Sequence, residues 1–383
     1  MWVALIFGGT AALFLGWALS MLWHLRWVRR LPPLEDQATP ASARLTRCSV
    51  IIAARNEEAR IEKTIRCLFA QRGLDLEIIV VDDRSTDRTG EILQRLGKED
   101  ARLQVKRVDA LPDGWLGKCH ACHVGASAAT SDWILFTDAD CWLKPDVVAR
   151  ALGVADRHGA DHITMTCGIA ESNLGLRAWH LLFLVSLANW LSGVNRNRPK
   201  SYVGLGAFNL VCASAYRECG GYEALRLTVL DDVKLGLLIR RVGGSTRAFL
   251  GADDVVCHWG AKMVDMIKIM EKNYFATLEF RVWLALAVAG FVSLLIAVAV
   301  LGLLSQTAAG TAAALAPLAI ILPAAILARR VGWPWWTALG VPFAVPVIVC
   351  ALLNSIWVTL RQGGIRWRDT FYSLKTLRAG GVR

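Results

Sequence analysis

Three acidic clusters stand where a chain could gather a cation and a phosphate. They are Arg55-Asn56-Glu57-Glu58, Asp82-Asp83-Arg84-Ser85 and Thr137-Asp138-Ala139-Asp140. One such cluster is accounted for well enough by a helix cap, and for Glu58 or Asp87 that is the better reading. Three of them at the ends of successive apolar runs are harder to account for that way. Asp138 and Asp140 are one residue apart, so in an extended segment both carboxylates reach the same side. Hard oxygen donors in that arrangement suit Mg²⁺ or Mn²⁺, which keep some water and share the phosphates of a substrate. A fourth acidic pair, Asp231-Asp232, precedes an apolar stretch over 233–239 and reads either as a helix N-terminus or as part of the same chemistry.

Positioning these side chains requires a sheet. Cys48–Ala54, Leu76–Val81, Leu103–Val108 and Trp133–Phe136 are short, β-rich apolar runs. Helical spacing separates them, with Ile61, Ile65 and Leu68 on one face and a second helix starting at Thr86–Thr89. Near-continuous apolar strands alternating with helices imply a mostly parallel α/β sheet covered on both faces. In such sheets ligands bind beyond the carboxyl ends of the strands, where the acidic clusters fall.

The rest of the chain is membrane-like. Of 383 residues, 55% are hydrophobic and 20% charged, with a net charge of +11. Residues 1–25 and 282–360 are almost free of charge, with only Arg329 and Arg330 in the second segment. The basic excess flanks these segments, in Arg26, Arg29 and Arg30 and in a tail over 361–383 that carries +5, while the middle is nearly neutral. Juxtamembrane basic flanks account for that pattern, and no nucleic-acid partner is expected. Residues 1–25 are read as an uncleaved anchor, because the positive charges follow the apolar run rather than precede it. A linker over 26–47, a catalytic domain over 48–281, a transmembrane region of two to three spans over 282–360 and a basic tail over 361–383 complete the expected organisation. Two readings of Ala178–Leu191 stay open, a core helix and a helix lying in the membrane interface.

Several motifs in order resemble family 2 glycosyltransferases of the GT-A fold. They are Ser49–Glu58, Val80–Thr89, Pro112–Lys118, Thr137–Asp140, Gly206–Asn209 and Leu230–Val233, and the likeness is to ceramide glucosyltransferase-like and hopanoid-associated membrane members. The resemblance spans about 48–281 and implies a Rossmann-like, mostly parallel catalytic domain between N-terminal and C-terminal transmembrane helices. It implies that Asp82 and Asp83, with Glu57 or Glu58, hold the base and ribose of a nucleotide sugar, UDP-linked. Asp138 and Asp140 would hold Mg²⁺ or Mn²⁺ on the diphosphate, and Lys118 would offset charge on the leaving group. Asp232, beside Asp231, corresponds to the base that takes a proton from the acceptor hydroxyl, with inversion. The acceptor implied is a ceramide-, hopanoid- or polyisoprenoid-like lipid, reached from a cytoplasm-facing domain of a multi-pass inner-membrane protein. A cell-envelope polysaccharide synthase is the alternative within the family. The Gln/Arg-x-x-Arg-Trp motif of many relatives is missing, which argues against processive synthesis, and His258, Trp259 or Lys272 are the candidates to replace it.

Ten cysteines are present, all but Cys350 in the middle domain. A cytoplasmic domain is expected to keep them as thiols. Cys119-His-Ala-Cys-His123 matches c-type haem attachment. The rival reading, a helix under the sugar-nucleotide pocket, is preferred because the segment directly follows Gly117-Lys118. Zinc is set aside, since four ligands so crowded do not close one tetrahedron.

Overall fold

A computed structural model describes residues 2–33, 46–170, 173–260 and 262–382. The part of the expected linker over 34–45 lies outside the described residues. The chain divides into two units: residues 28–170, 193–258 and 380–383 form the sheet unit, and residues 1–27, 171–192 and 259–379 the helical unit.

The sheet unit is built on β1 (Arg47–Ala54), β2 (Asp75–Asp83), β3 (Leu103–Val108) and β4 (Trp133–Phe136). After them come β5 (Cys141–Leu143), β6 (His162–Met165), β7 (Gly168–Ile169), β8 (Asn209–Cys212), β9 (Thr246–Phe249) and β10 (Val255–Cys257). Seven strands form the main sheet in the order β3-β2-β1-β4-β8-β6-β9. Only β8 runs against its neighbours, pairing antiparallel with β4 and β6. The four strands expected from apolar runs are the parallel half, with β1 in register between β2 and β4. Val50, Ile51 and Ile52 of β1 and Ile78 to Val81 of β2 are fully buried, as a sheet covered on both faces requires. The Gly117–Ala128 helix lies tight against this sheet: a Cβ on Gly125 would come within 2.5 Å of Ile51 Cγ2. A smaller sheet, β5-β10-β7, follows the acidic end of β4.

The start of the expected linker is not a free tether. Val28 and Leu31 are buried, and Arg30 bridges to Leu250 in β-fashion. Arg150, 8% exposed, shows why: it donates to Leu31 O at 2.8 Å and Pro32 O at 2.9 Å while gripping Asp254 with two bonds of 3.1 Å. A buried guanidinium can satisfy its donors this way, and the segment leaving the first helix supplies two of the acceptors.

Among the described residues, five helices are long and apolar enough to cross a membrane: Trp2–Leu25, Leu174–Asn195, Val282–Leu304, Ala308–Arg330 and Trp335–Gln362. About 20 such residues cover a bilayer core. The helix expected over Ala178–Leu191 is 22 residues long in the structure. The last helix continues through Pro346, so that proline does not divide it. Large apolar side chains such as Leu5, Leu13, Trp283, Phe291, Leu294, Phe343 and Trp357 are exposed on these helices, a surface compatible with lipid rather than water.

Removing one partner of a buried, hydrogen-bonded ion pair costs about 3–5 kcal/mol, whereas replacing both by apolar residues is close to neutral. Arg150→Met is therefore expected to lower stability by about that amount. The Arg150→Met/Asp254→Leu pair should recover most of the loss. Denaturant unfolding of the detergent-solubilised protein measures both.

Candidate active site

The turns after β1 and β2 are laced together. Asn56 and Arg84 both adopt left-handed backbone, with φ of 54° and 58°. The Asn56 N–H donates to Ser85 Oγ at 3.1 Å, and the Thr86 N–H donates to Asn56 Oδ1 at 2.8 Å. An asparagine tolerates this conformation and hydrogen-bonds the neighbouring backbone, which suits it to the position. Asp82 is buried and accepts the Ser85 N–H at 3.1 Å. Asp83 is gripped by Arg84 at 2.7 and 3.1 Å, with Arg55 3.9 Å away. Glu58 turns aside: its Oε2 accepts the Arg88 N–H and Nε at 3.1 and 3.2 Å, while Asp87 accepts the Glu58 N–H. These two acids cap the turn. Glu57 stays with the acidic cluster, 3.8 Å from Arg60 and near enough to Asp140 to disfavour its charge.

Three elements then converge. Lys118, in the first turn of the Gly117–Ala128 helix, donates to Asp138 Oδ1 at 2.7 Å and lies 3.8 Å from Asp231. Asp231 and Asp232 open the Asp231–Arg241 helix, yet neither is its N-cap, a position held by Leu230 without a side-chain bond. Asp232 Oδ2 accepts the Gly206 N–H at 2.7 Å, and Oδ1 accepts the Val233 N–H at 2.8 Å. A Cβ on Gly206 would lie 2.9 Å from Asp138 Oδ2, 3.3 Å from Asp232 Oδ2 and 3.4 Å from Lys118 Nζ, so glycine leaves all three groups facing one small volume.

The charges there are not at their ordinary values. Burial raises the Asp232 carboxyl to about 6; Asp231 adds to the rise and Lys118 opposes it. Burial likewise raises Asp140 to about 7, with Asp138 and Glu57 adding and Arg60 opposing. Burial alone would lower Lys118, but Asp138, Asp231 and Asp232 outweigh it and hold the ammonium well above its usual range.

Further residues support the acids without being legible as site residues in the sequence. Tyr222 OH donates to Asp231 Oδ2 at 2.9 Å and fixes that carboxylate in the interior. Asn209 Nδ2 donates to the Asp232 carbonyl at 3.3 Å, and Asn209 is in turn bonded to buried His162. Asn209 ends the Gly206–Asn209 motif and so carries a signal; Tyr222 and His162 carry none. Of the three candidates for the missing motif, His258 donates only its backbone N–H to the Asp140 carbonyl, at 3.3 Å, among the described contacts. Trp259 packs against His180 and Phe183, and Lys272 sits 3.6 Å over the Trp367 ring, both within the helical unit.

The donor set fits a hard divalent cation. Asp138, Asp140 and Cys141 place one donor atom each within 4.8 Å of one another. Cys141 is bonded to Cys257, which leaves oxygen donors alone; Asp140 is raised first by burial and then by the neighbouring charges of Asp138 and Glu57, which a cation there would offset. That disulfide corrects the expectation that every cysteine stays a thiol. Its physical reason is the antiparallel register of β5 and β10, which sets the two residues opposite each other. Haem does not fit the Cys119–His123 segment. It forms part of a helix, Cys119 and Cys122 are buried in the core, and His120 and His123 pack around Trp115.

Comparison with known proteins agrees with this geometry. Residues 49–220 match the family model described as Glycosyl transferase family 2. The chain is similar to the 4,4'-diaponeurosporenoate glycosyltransferase of Staphylococcus haemolyticus (strain JCSC1435), 41% identical over 197 residues that make up 50% of this chain and 51% of the relative. It is also similar to the protein of that name from Staphylococcus aureus (strain USA300), 28% identical over 197 residues, 49% of this chain and 50% of the relative. The chain spans about half the length of the curated relatives it matches. Among solved structures, it shares a fold with the mannosyltransferase PcManGT from Pyrobaculum calidifontis in complex with GDP-Man and Mn²⁺. The TM-score is 0.58 at 16% identity, covering 94% of this chain and 99% of that one. Residues 49–220 of this chain are thus similar to that family, and the fold is the one shared with the solved glycosyltransferase.

A carboxyl raised in the folded state binds protons that the unfolded chain has released. The stability it contributes is complete below the unfolded value of 3.8 and is lost as pH rises through about 7 for Asp140. His162, lowered by burial from 6.5 to about 4, acts in the opposite direction below 6.5. The comparison of wild type with Asp140→Asn isolates the acid. In chelator, wild type should lose stability relative to the variant between pH about 4 and about 7, and Mn²⁺ should reverse that loss. Thermal unfolding across that range measures it.

Proposed function

We propose that this chain transfers a sugar, with inversion, from a nucleotide sugar to a hydroxyl on a lipid acceptor at a membrane surface. The observation that carries the reading is the convergence of Asp138, Lys118 and Asp232 on the volume left open by Gly206. A donor diphosphate needs positive charge as its leaving group departs, and an acceptor hydroxyl needs a base as it attacks.

In this reading Asp82 and Asp83 hold the base and ribose of the donor, UDP-linked, with Glu57 beside them. Asp138 and Asp140 would hold Mg²⁺ or Mn²⁺, which when bound supplies Lewis-acid stabilisation of the diphosphate. Lys118 offers its ammonium to the same developing charge. Asp232 Oδ2, tuned to about 6, takes the acceptor proton; a carboxylate nearer neutrality than an ordinary aspartate is a better base at physiological pH. Asp231, held by Tyr222 and facing Lys118, positions the ammonium and raises its neighbour. The apolar helices support a lipid acceptor, since such a hydroxyl lies at the bilayer surface. The basic flanks support a catalytic domain on the cytoplasmic side of the inner membrane in a multi-pass protein.

The named substrate of the staphylococcal relatives favours a second acceptor chemistry, because it is a carboxylate. Such an acceptor arrives ionised and needs no base. Asp232→Asn separates the two. With a hydroxyl acceptor, kcat should fall about 10²–10⁴-fold, the share a positioned base contributes, while nucleotide affinity stays unchanged. Retained transfer in that variant overturns the base assignment and supports the carboxylate. Gly206→Ala should reduce transfer in either case, because its methyl group fills the shared volume. Radiolabelled sugar transfer into extracted lipid, paired with equilibrium nucleotide binding, reads both variants.

A further inference from the structure

The Cys141–Cys257 bond stands beside the proposed metal pair, and no step of the transfer uses it. Cys141 directly follows Asp140, and its Sγ lies 3.9 Å from Asp140 Oδ1. Its sulfur and single oxygens of Asp138 and Asp140 all lie within 4.8 Å of one another, close enough for one ion to touch all three. The partner Cys257 sits opposite on β10, and the next residue, His258, holds the Asp140 carbonyl. Both cysteines are buried, so the bond belongs to the interior of the site rather than to its surface.

We propose that Cys141 is a latent sulfur ligand, and that the redox state of the Cys141–Cys257 pair sets which class of metal ion the site accepts. With the disulfide closed, the donors are carboxylate oxygens, which suit Mg²⁺ or Mn²⁺. A dithiol reductant opens it: the Sγ–Sγ bond breaks, two electrons pass from the dithiol to the pair, two protons complete the thiols, and the dithiol closes to its own disulfide. An arriving softer ion then displaces the Cys141 proton to solvent and binds the thiolate together with Asp138 and Asp140. That mixed sulfur–oxygen set suits Zn²⁺ or Co²⁺. The hard ion is thereby replaced, and the transfer reaction slows. This inference rests on the reading of Asp138 and Asp140 as the metal pair.

The geometry favours a ligand change over a purely structural staple. A staple could join β5 to β10 at any paired position, whereas this one occupies the residue whose sulfur reaches the acids. Cys167 is a second buried thiol near Asp138 and Asp140, so the test must tell the two sulfurs apart.

The probe is Co²⁺, titrated into the full-length protein in detergent after chelator treatment. Its sulfur-to-cobalt charge-transfer absorption reports thiolate ligation independently of turnover. The band is expected in reduced wild type, and without any reductant in Cys257→Ser, which frees Cys141 whatever the access to the buried bond. It should be absent from oxidised wild type and from reduced Cys141→Ser. Loss of an outer partner of a ligand already shifts metal affinity roughly 10–100-fold, so loss of the thiolate itself should weaken Co²⁺ binding by at least about tenfold. An equal band in Cys141→Ser, or none in Cys257→Ser, overturns the proposal. Mn²⁺ binding by electron paramagnetic resonance separates the premise from the inference. If Mn²⁺ binding is indifferent to Asp138→Asn, the metal pair itself is misread. If Mn²⁺ binding depends on Asp138 but no cobalt–sulfur band forms, only the role of Cys141 fails.

Discussion

Asp138, Asp231 and Asp232 gather around the ammonium of Lys118, with Asp140 and Glu57 alongside, in a region that burial has largely withdrawn from water. Like charges this close destabilise one another, and the surroundings are organised around that repulsion. Gly206 and Val233 aim backbone N–H groups at Asp232, Tyr222 satisfies Asp231, and Arg60 tempers Asp140. Asp138 and Glu57 still disfavour the charge of Asp140. In the proposed reading a divalent cation there, with the phosphates that come with it, would offset that charge.

The sheet exists, in functional terms, to hold that repulsion at one edge. Parallel strands β1, β2 and β4 end together, so the acids that follow them arrive together, and the tight seat of Gly125 on Ile51 brings Lys118 to the same edge. Antiparallel β8 delivers Gly206 and Asn209 to it from the opposite direction. Strand ends give the donors, a helix start gives the cation, and one glycine gives the space. The helical unit contributes a different property, an apolar surface suited to lipid. A nucleotide sugar is water-soluble and a lipid acceptor is not, so the proposed reaction would need both kinds of surface.

Much of this is legible in the residues alone. The four parallel strands appear within a residue or two of the apolar runs, because strands buried on both faces must be apolar almost throughout. Asp138 and Asp140 stand out because a carboxylate that ends such a run adds nothing to the apolar core and is left facing solvent or a ligand. Asp231, Asp232 and Lys118 are legible through the ordered motifs that contain them. Glu58 shows the limit. It looks like its neighbour Glu57 in sequence, but in the structure it caps a turn with Arg88 and Asp87. The helix expected over Ala178–Leu191 is too short, since its outer turns carry residues that do not distinguish a span from a core helix.

The sequence alone determined the class of fold, the apolar segments and the identity of the acids, because each follows from a local pattern of one residue type repeated or interrupted. Only the tertiary structure decided which acids face one another, that Tyr222 and His162 support them, and that Arg150 binds the segment after the first helix. It alone set Cys141 opposite Cys257 across 116 residues of chain. The physical reason is that proximity between distant residues is a property of strand register and packing. Carboxyl values near 6 and 7 arise from that proximity and from burial, and neither is written in the residues one at a time.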